Sequence, residues 1–133
     1  MNKLTTGDTK MNQPKTITID DVEYIRKSDA PSIAPDVNGM KYCVVRTYSA
    51  GVHIGYVAEF GDKHPQHAKL LDSRRLHYWS GACSLSQVAM DGVDADSRIA
   101  MKLPEIELTD VIEVIPCSTK SKTFFEGAET WKK

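Results

Sequence analysis

Two spacings alternate along the chain, and together they outline its elements. From Tyr42 to Thr47 the period is two: Tyr42, Val44 and Arg46 fall on one face of a strand, Cys43, Val45 and Thr47 on the other. Ser49-Ala50-Gly51 breaks the run, and His53 to Phe60 (HIGYVAEF) resumes it, which predicts an antiparallel hairpin. A polar turn from Gly61 to His67 surrounds Pro65. Beyond it, Ala68 to Trp79 predicts a third strand, or two short ones bent at Asp72-Ser73. Two further strands are expected at roughly Arg98 to Lys102 and Glu105 to Ile115, separated by Pro104. In the second, Ile106, Leu108, Asp110 and Ile112 share one parity while Val111 and Glu113 take the other, which predicts a bulge near Thr109. Pro116 closes that strand.

A helical signal interrupts these strands. Ser84-Leu85-Ser86-Gln87 has the capping-box form, in which the serine hydroxyl takes the third backbone N–H and the glutamine reaches back. Leu85, Val88 and Ala89 supply its apolar stripe, and Gly92 can end it with a left-handed residue. Ser118 to Glu126 reads as a last short helix, followed by a tail anchored by Trp131. At the other end, residues 1–15 are polar and read as a mobile arm. Thr16 to Ile25 alternates weakly and fits a short strand or an appended hairpin. Ser28 to Gly39, with two prolines, reads as a linker. The expected fold is α+β: a twisted antiparallel β-sheet with one short internal helix and a short C-terminal helix over residues 40–133, preceded by a flexible extension over residues 1–39.

Composition narrows the class without naming a function. The 133 residues are 41% apolar and 26% charged, which suits one globular domain rather than a disordered or membrane-spanning chain. With 17 Lys and Arg against 18 Asp and Glu, the net charge is −1, so there is no basic excess for long nucleic acid to bind. The three cysteines Cys43, Cys83 and Cys117 have no zinc-like spacing and read as reduced, mostly buried thiols, which points to the cytoplasm. No apolar run reaches the ~18–20 residues that cross a bilayer.

Candidate chemistry concentrates in Ser73 to Ser84 (SRRLHYWSGACS). On an extended strand, Arg75, His77 and Trp79 project to one side and Arg74, Leu76 and Tyr78 to the other. A guanidinium, an imidazole and an indole in a row suit a planar ring stacked on an aromatic face, with a phosphate held by arginine. Gly81 to Ser84 then lead into a helix start, whose free N–H groups favour anions. A plainer account puts Tyr78 and Trp79 in the core and the arginines at solvated edges. The hairpin from Arg46 to Gly55 offers Arg46, Tyr48 and His53, which complete a pocket if it packs near residues 74–79 and otherwise form an ordinary turn. His64 and His67 flank Pro65 without a third ligand, and Asp91, Asp94 and Asp96 lack the order of a calcium loop. No metal, cofactor or catalytic residue is assigned. Cys83 near His77 is a weak nucleophile candidate, better explained as a small buried thiol.

Three segments, VRTYSAGVHIG (45–55), SRRLHYWSGACSL (73–85) and LTDVIEVIPC (108–117), together resemble a family of small proteins encoded mostly by bacteriophages and prophages and described as a domain of unknown function. The resemblance spans about residues 42–131. In size and element order the chain is also similar to anti-Thoeris and anti-CBASS sponges, which oligomerise and sequester immune signals without destroying them. That likeness implies a cytoplasmic, homo-oligomeric, non-enzymatic inhibitor of host immunity that holds a small nucleotide-type signalling molecule, of the cyclic ADP-ribose or cyclic oligonucleotide kind. The competing expectation is a virion accessory or protein-interaction domain with no small-molecule ligand. A phosphodiesterase comes third.

Overall fold

The computed structural model describes residues 32–132 in full and, before them, the backbone of two short strands. The chain divides into two units, Met1–Pro31 and Ser32–Lys133. In the first, β1 (Thr16–Ile19) and β2 (Val22–Ile25) pair antiparallel, with Ile19 opposite Val22, so this stretch is a hairpin. The arm expected at residues 1–15 lies outside the described residues.

The second unit carries six strands and two helices: β3 (Lys41–Thr47), β4 (Val52–Phe60), β5 (Ala68–Tyr78), α1 (Leu85–Asp91), β6 (Arg98–Ile99), β7 (Leu103–Leu108), β8 (Val111–Pro116) and α2 (Thr119–Gly127). All strand pairings are antiparallel, in the order β6-β5-β4-β3-β8, and β7 pairs with the first half of β5. The α+β fold class read from the sequence is the one found. The compact unit begins earlier than residue 40, however. Ala34 is buried and donates its N–H to Cys117 O (3.0 Å), and Ser32 O accepts from Thr119 N (3.1 Å), so residues 32–39 pack onto the domain rather than linking to it.

One sheet face carries Tyr42, Val44, Ile54, Tyr56 and Leu76 and is covered by Val88 and Ala89 of α1 and Phe125 of α2. The other buries Cys43, Val45, Ala68, Leu70, Leu108 and Val111 against one another. That second core exists because the sheet rolls up. β7 and β8 lie at opposite edges, four strand spacings or about 19 Å apart in a flat sheet, yet only Thr109 and Asp110 separate them in sequence. Three Cα steps reach no more than about 11 Å. The edges must therefore curl together into a partly open barrel. Tyr48 N–H donates to Asp110 O (2.9 Å) and Val111 N–H to Gln66 O (3.0 Å), which fastens the roll. The Asp110 carboxylate also accepts from Ser49 N (2.9 Å) and Ser49 Oγ (2.6 Å). This corrects the expectation of one bulged strand over 105–115: the break at Thr109-Asp110 is a crossing between two edges. Pro104 does not separate strands either. It sits inside β7, an edge strand, where a missing N–H is tolerated.

The bend expected at Asp72-Ser73 is a bulge within one strand. Pairing jumps from Tyr56↔Leu71 to Ile54↔Arg74, so Asp72 and Ser73 together oppose Gly55, and Asp72 has φ +50°. A Cβ at Gly55 would lie 2.9 Å from Ser73 Cα and 3.0 Å from Leu71 O, so only glycine lets the bulge close. The bulge reverses the parity of β5. Beyond it, Arg74 and Leu76 turn to the helix-covered face, and Ser73, Arg75 and His77 to the other.

Ser84 caps α1 by accepting from Gln87 N (3.2 Å), but the Gln87 side chain reaches one residue further back than a capping box requires, to Cys83 N (3.0 Å). The far end of α1 is capped by α2. Ser118 N and Ser121 Oγ donate to Ala89 O and Val88 O (2.9 and 2.7 Å), and Ser118 Oγ donates to Met90 O. Ser118 thus satisfies the Ala89 and Met90 carbonyls that a seven-residue helix leaves open, and Ser121 adds a second bond to Val88 O, which also accepts from Gly92 N.

Candidate functional site

The candidate residues separate into three groups once placed on this frame. His53 and Arg75 are direct partners across β4 and β5, and Ser73 and His77 lie two residues to either side of Arg75 on the same face. A cavity of about 210 Å³ opens here, lined by His53, Ser73, Arg75, Met101, Leu103 and Ile106, among others. His53 is 1% exposed and accompanies Ser73, whose buried hydroxyl has no hydrogen-bond partner among the described residues. His53 Nε2 lies 2.9 Å from Ala50 O. A carbonyl can only accept, so Nε2 carries the proton and Nδ1 of the neutral ring keeps its lone pair. Burial pulls the His53 pKa below the ordinary imidazole value, which favours that neutral form.

His77 continues the row to a second feature. Its ring is stacked on Trp131, with centroids 5.1 Å apart and planes 6° from parallel. Arg98, opposite Tyr78 on β6, places its guanidinium carbon 5.4 Å from the Trp131 ring centre and 5.7 Å from that of Tyr78. The tail is fixed there by a hydrogen bond from Trp131 N to Ile99 O (2.8 Å). Beside Trp131 a cavity of about 340 Å³ is lined by Ala100, Met101, Thr130, Trp131 and Lys132. Ala100 and Met101 also line the first cavity, so one short segment forms a wall of both. Among the described residues, neither Arg75 nor Arg98 forms an ion pair with a carboxylate. Asp96 and Glu129 line a further depression that also touches Trp131.

The other candidates stand apart from this row. Arg74 is 2% exposed, and its guanidinium donates to Ala100 O (2.9 Å), Phe125 O (2.8 Å), Ala128 O (2.7 Å) and Thr130 Oγ1 (3.3 Å). Four of its five N–H groups are thus spent within the domain, on the helix-covered face away from Arg75. Trp79 is half-buried against the helix-side core, as the plainer account had it. Arg46 sits opposite Glu113 on β8, 3.8 Å away, and Tyr48 is 84% exposed. At the helix start, Gly81 has φ +87° and packs against the Asp94 carboxylate, while the Cys83 and Gln87 N–H groups are taken by Gln87 Oε1 and Ser84 Oγ. The chain's own cap thus takes two of the N–H groups at the helix start where an anion site was expected.

Arg98, Met101 and Lys132 had no signal in the sequence, because the pairing of β6 with the end of β5 and the return of the tail bring them in. His67 belongs to a different cluster: Glu107 Oε1 lies 2.8 Å from both His67 Nε2 and Lys63 Nζ, which holds the Glu107 carboxyl down at about 2. Among the described residues no group of three or more His, Cys, Asp or Glu could hold a metal ion, and no helix is long and apolar enough to cross a membrane.

An antiparallel sheet rolled around a small second core, with one open face carrying arginines and stacked rings, defines a small α+β domain with a surface cleft. The chain belongs to the family described as a domain of unknown function, DUF6948, which matches residues 40–125. No curated protein and no solved structure matches it.

Proposed function

We propose that the protein binds and sequesters a nucleotide-type second messenger, of the cyclic ADP-ribose or cyclic oligonucleotide kind, without cleaving it, and so acts as a phage-encoded inhibitor of bacterial immunity. The observation that carries this reading is the stacked His77–Trp131 pair with Arg98 beside it and Arg75 two residues from His77 on the same face. Aromatic faces accept a base whatever its sequence identity, and guanidinium groups accept phosphate in bidentate fashion. Ser49 Oγ donates to Asp110 and Cys83 Sγ to Gln87, whereas Ser73 Oγ, in the cavity, has no partner among the described residues and is read here as a hydrogen-bonding group for the ligand. A near-neutral chain also suits a compact nucleotide better than a long polyanion. The same reading has the protein working as a homo-oligomer, checked by its mass in solution.

The test is a thermal-shift and calorimetric screen of the full chain against cyclic nucleotides, cyclic ADP-ribose isomers and linear controls. A ligand at ~100 times its dissociation constant adds ~2.7 kcal/mol of stability. Trp131→Ala is expected to weaken that ligand by about 5- to 150-fold, the worth of one base stack. Ligand recovered unchanged after heat release fits sequestration, and altered ligand means an enzyme. No shift with any nucleotide overturns the proposal and favours the protein-interaction alternative.

A further inference from the structure

We infer that the cleft takes a ligand with two ring systems joined through an anionic link, that is, a dinucleotide-class compound rather than one with a single base. This rests on the nucleotide reading above and goes on to specify which nucleotides. The geometry has two concave sites, not one, and they share a wall. The cavity at His53 and Ser73 holds about 210 Å³, room for one base-sized ring with apolar Met101, Leu103 and Ile106 around it. Its polar groups suit the edge of such a ring: a buried serine hydroxyl without a partner among the described residues, and a neutral histidine with a free lone pair. The second site, about 340 Å³, lies against Trp131, on the other side of Ala100 and Met101.

Strand β5 reaches both: Ser73 and Arg75 line the first cavity, and His77 is stacked on Trp131, which lines the second. Ser73, Arg75 and His77 are successive residues of one strand face, so Ser73 and His77 lie about 13 Å apart with Arg75 midway, at about 3.3 Å of rise per residue. A single nucleotide reaches either site from Arg75, but only a ligand with a ring at each end and charge in the middle uses both at once. Engaging both sites makes the second contact intramolecular, so the two-ring ligand gains affinity beyond either half.

The experiment is calorimetric titration of the full chain with three probes: cyclic di-AMP, AMP and cyclic ADP-ribose. The expected result is at least tenfold tighter binding of the dinucleotide than of either one-base probe. Leu103→Trp fills the first cavity from an edge position, and Trp131→Ala removes the second platform. Each is expected to weaken the dinucleotide by tenfold or more, while AMP responds to only one of the two. One-base probes that bind as tightly as the dinucleotide overturn this inference and leave the nucleotide reading standing. Failure of all three, together with the wider nucleotide panel, overturns both. The probe comparison on the unaltered chain decides the matter even if a variant does not fold.

Discussion

Arg74 donates to two backbone carbonyls and a threonine hydroxyl around the end of α2 and to Ala100 O after β6, whereas Arg75, the next residue, lines an open cavity on the other face. Replacing Arg74 by Met leaves buried carbonyls without donors, and unsatisfied groups cost ~1–3 kcal/mol each. Urea denaturation of Arg74→Met is therefore expected to show a loss of about 3 kcal/mol, and Arg75→Met a change within about 0.5 kcal/mol, with nucleotide affinity lost only in the second. His53 supplies a pH dependence. Its folded-state pKa is depressed, so its contribution is complete above the unfolded value of ~6.5 and is lost as pH falls from there toward the folded value. Stability measured down from pH 7 is expected to fall in that window and to flatten in His53→Gln. The thiols give a third test. Burial pushes Cys43 up to about 11 and Cys117 up to about 12, while Cys83 is exposed. At pH 8 a thiol reagent is expected to label one cysteine in the folded chain and three after unfolding.

Among the elements, alternation and capping residues were enough to locate most of the strands and both helices. Period-two runs marked β3, β4 and β5, and the capping serine at 84 marked α1, while the cap that Ser118 gives α2 is seen only in the structure. What alternation cannot register is partnership. Residues 105–115 read as one bulged strand because parity is a local property, while the assignment of β7 and β8 to opposite edges depends on Gln66, Tyr48 and Ser49, some 45 to 60 residues away in sequence. The site was half legible for the same reason: Arg75, His77 and His53 come from one hairpin-linked pair of strands, but Trp131, Arg98 and Met101 arrive through long-range packing. Arg74 shows the limit most clearly, since a strand residue beside Arg75 has the same chemistry and no local mark of burial. The Asp72 bulge is the device that separates the two arginines, and it depends on Gly55. Gly55→Ala forces backbone apart at Ser73 and Leu71, and is expected to cost about 1–3 kcal/mol in chemical denaturation, as overpacking of a close contact does.

Across the whole molecule, the two faces of the rolled sheet divide the labour. The helix side holds the larger core, with Tyr56 donating to Glu126 Oε2 (2.6 Å) and Arg74 holding the tail. The other side keeps a small core and, beside it, the candidate cleft, with Ile106 touching both. Substitutions in the cleft at Arg75, His77 or Leu103 are therefore expected to change binding with melting temperatures nearly unchanged, whereas substitutions at Phe125 or Val88 should unfold the domain.

The two-residue crossing at Thr109-Asp110 also bears on time. Closing the roll joins Ser49 to Asp110 and Lys63 to Glu107, pairs separated by 61 and 44 residues. Chain entropy is lost in bringing such distant segments together before any of their contacts form, and domains dominated by distant pairings fold in milliseconds to seconds rather than microseconds. The hairpin β3–β4 can form early from neighbouring residues, while the barrel waits for β8 to find β3 and β7 to find β5. The chain thus completes its cleft only once β7 has docked on β5.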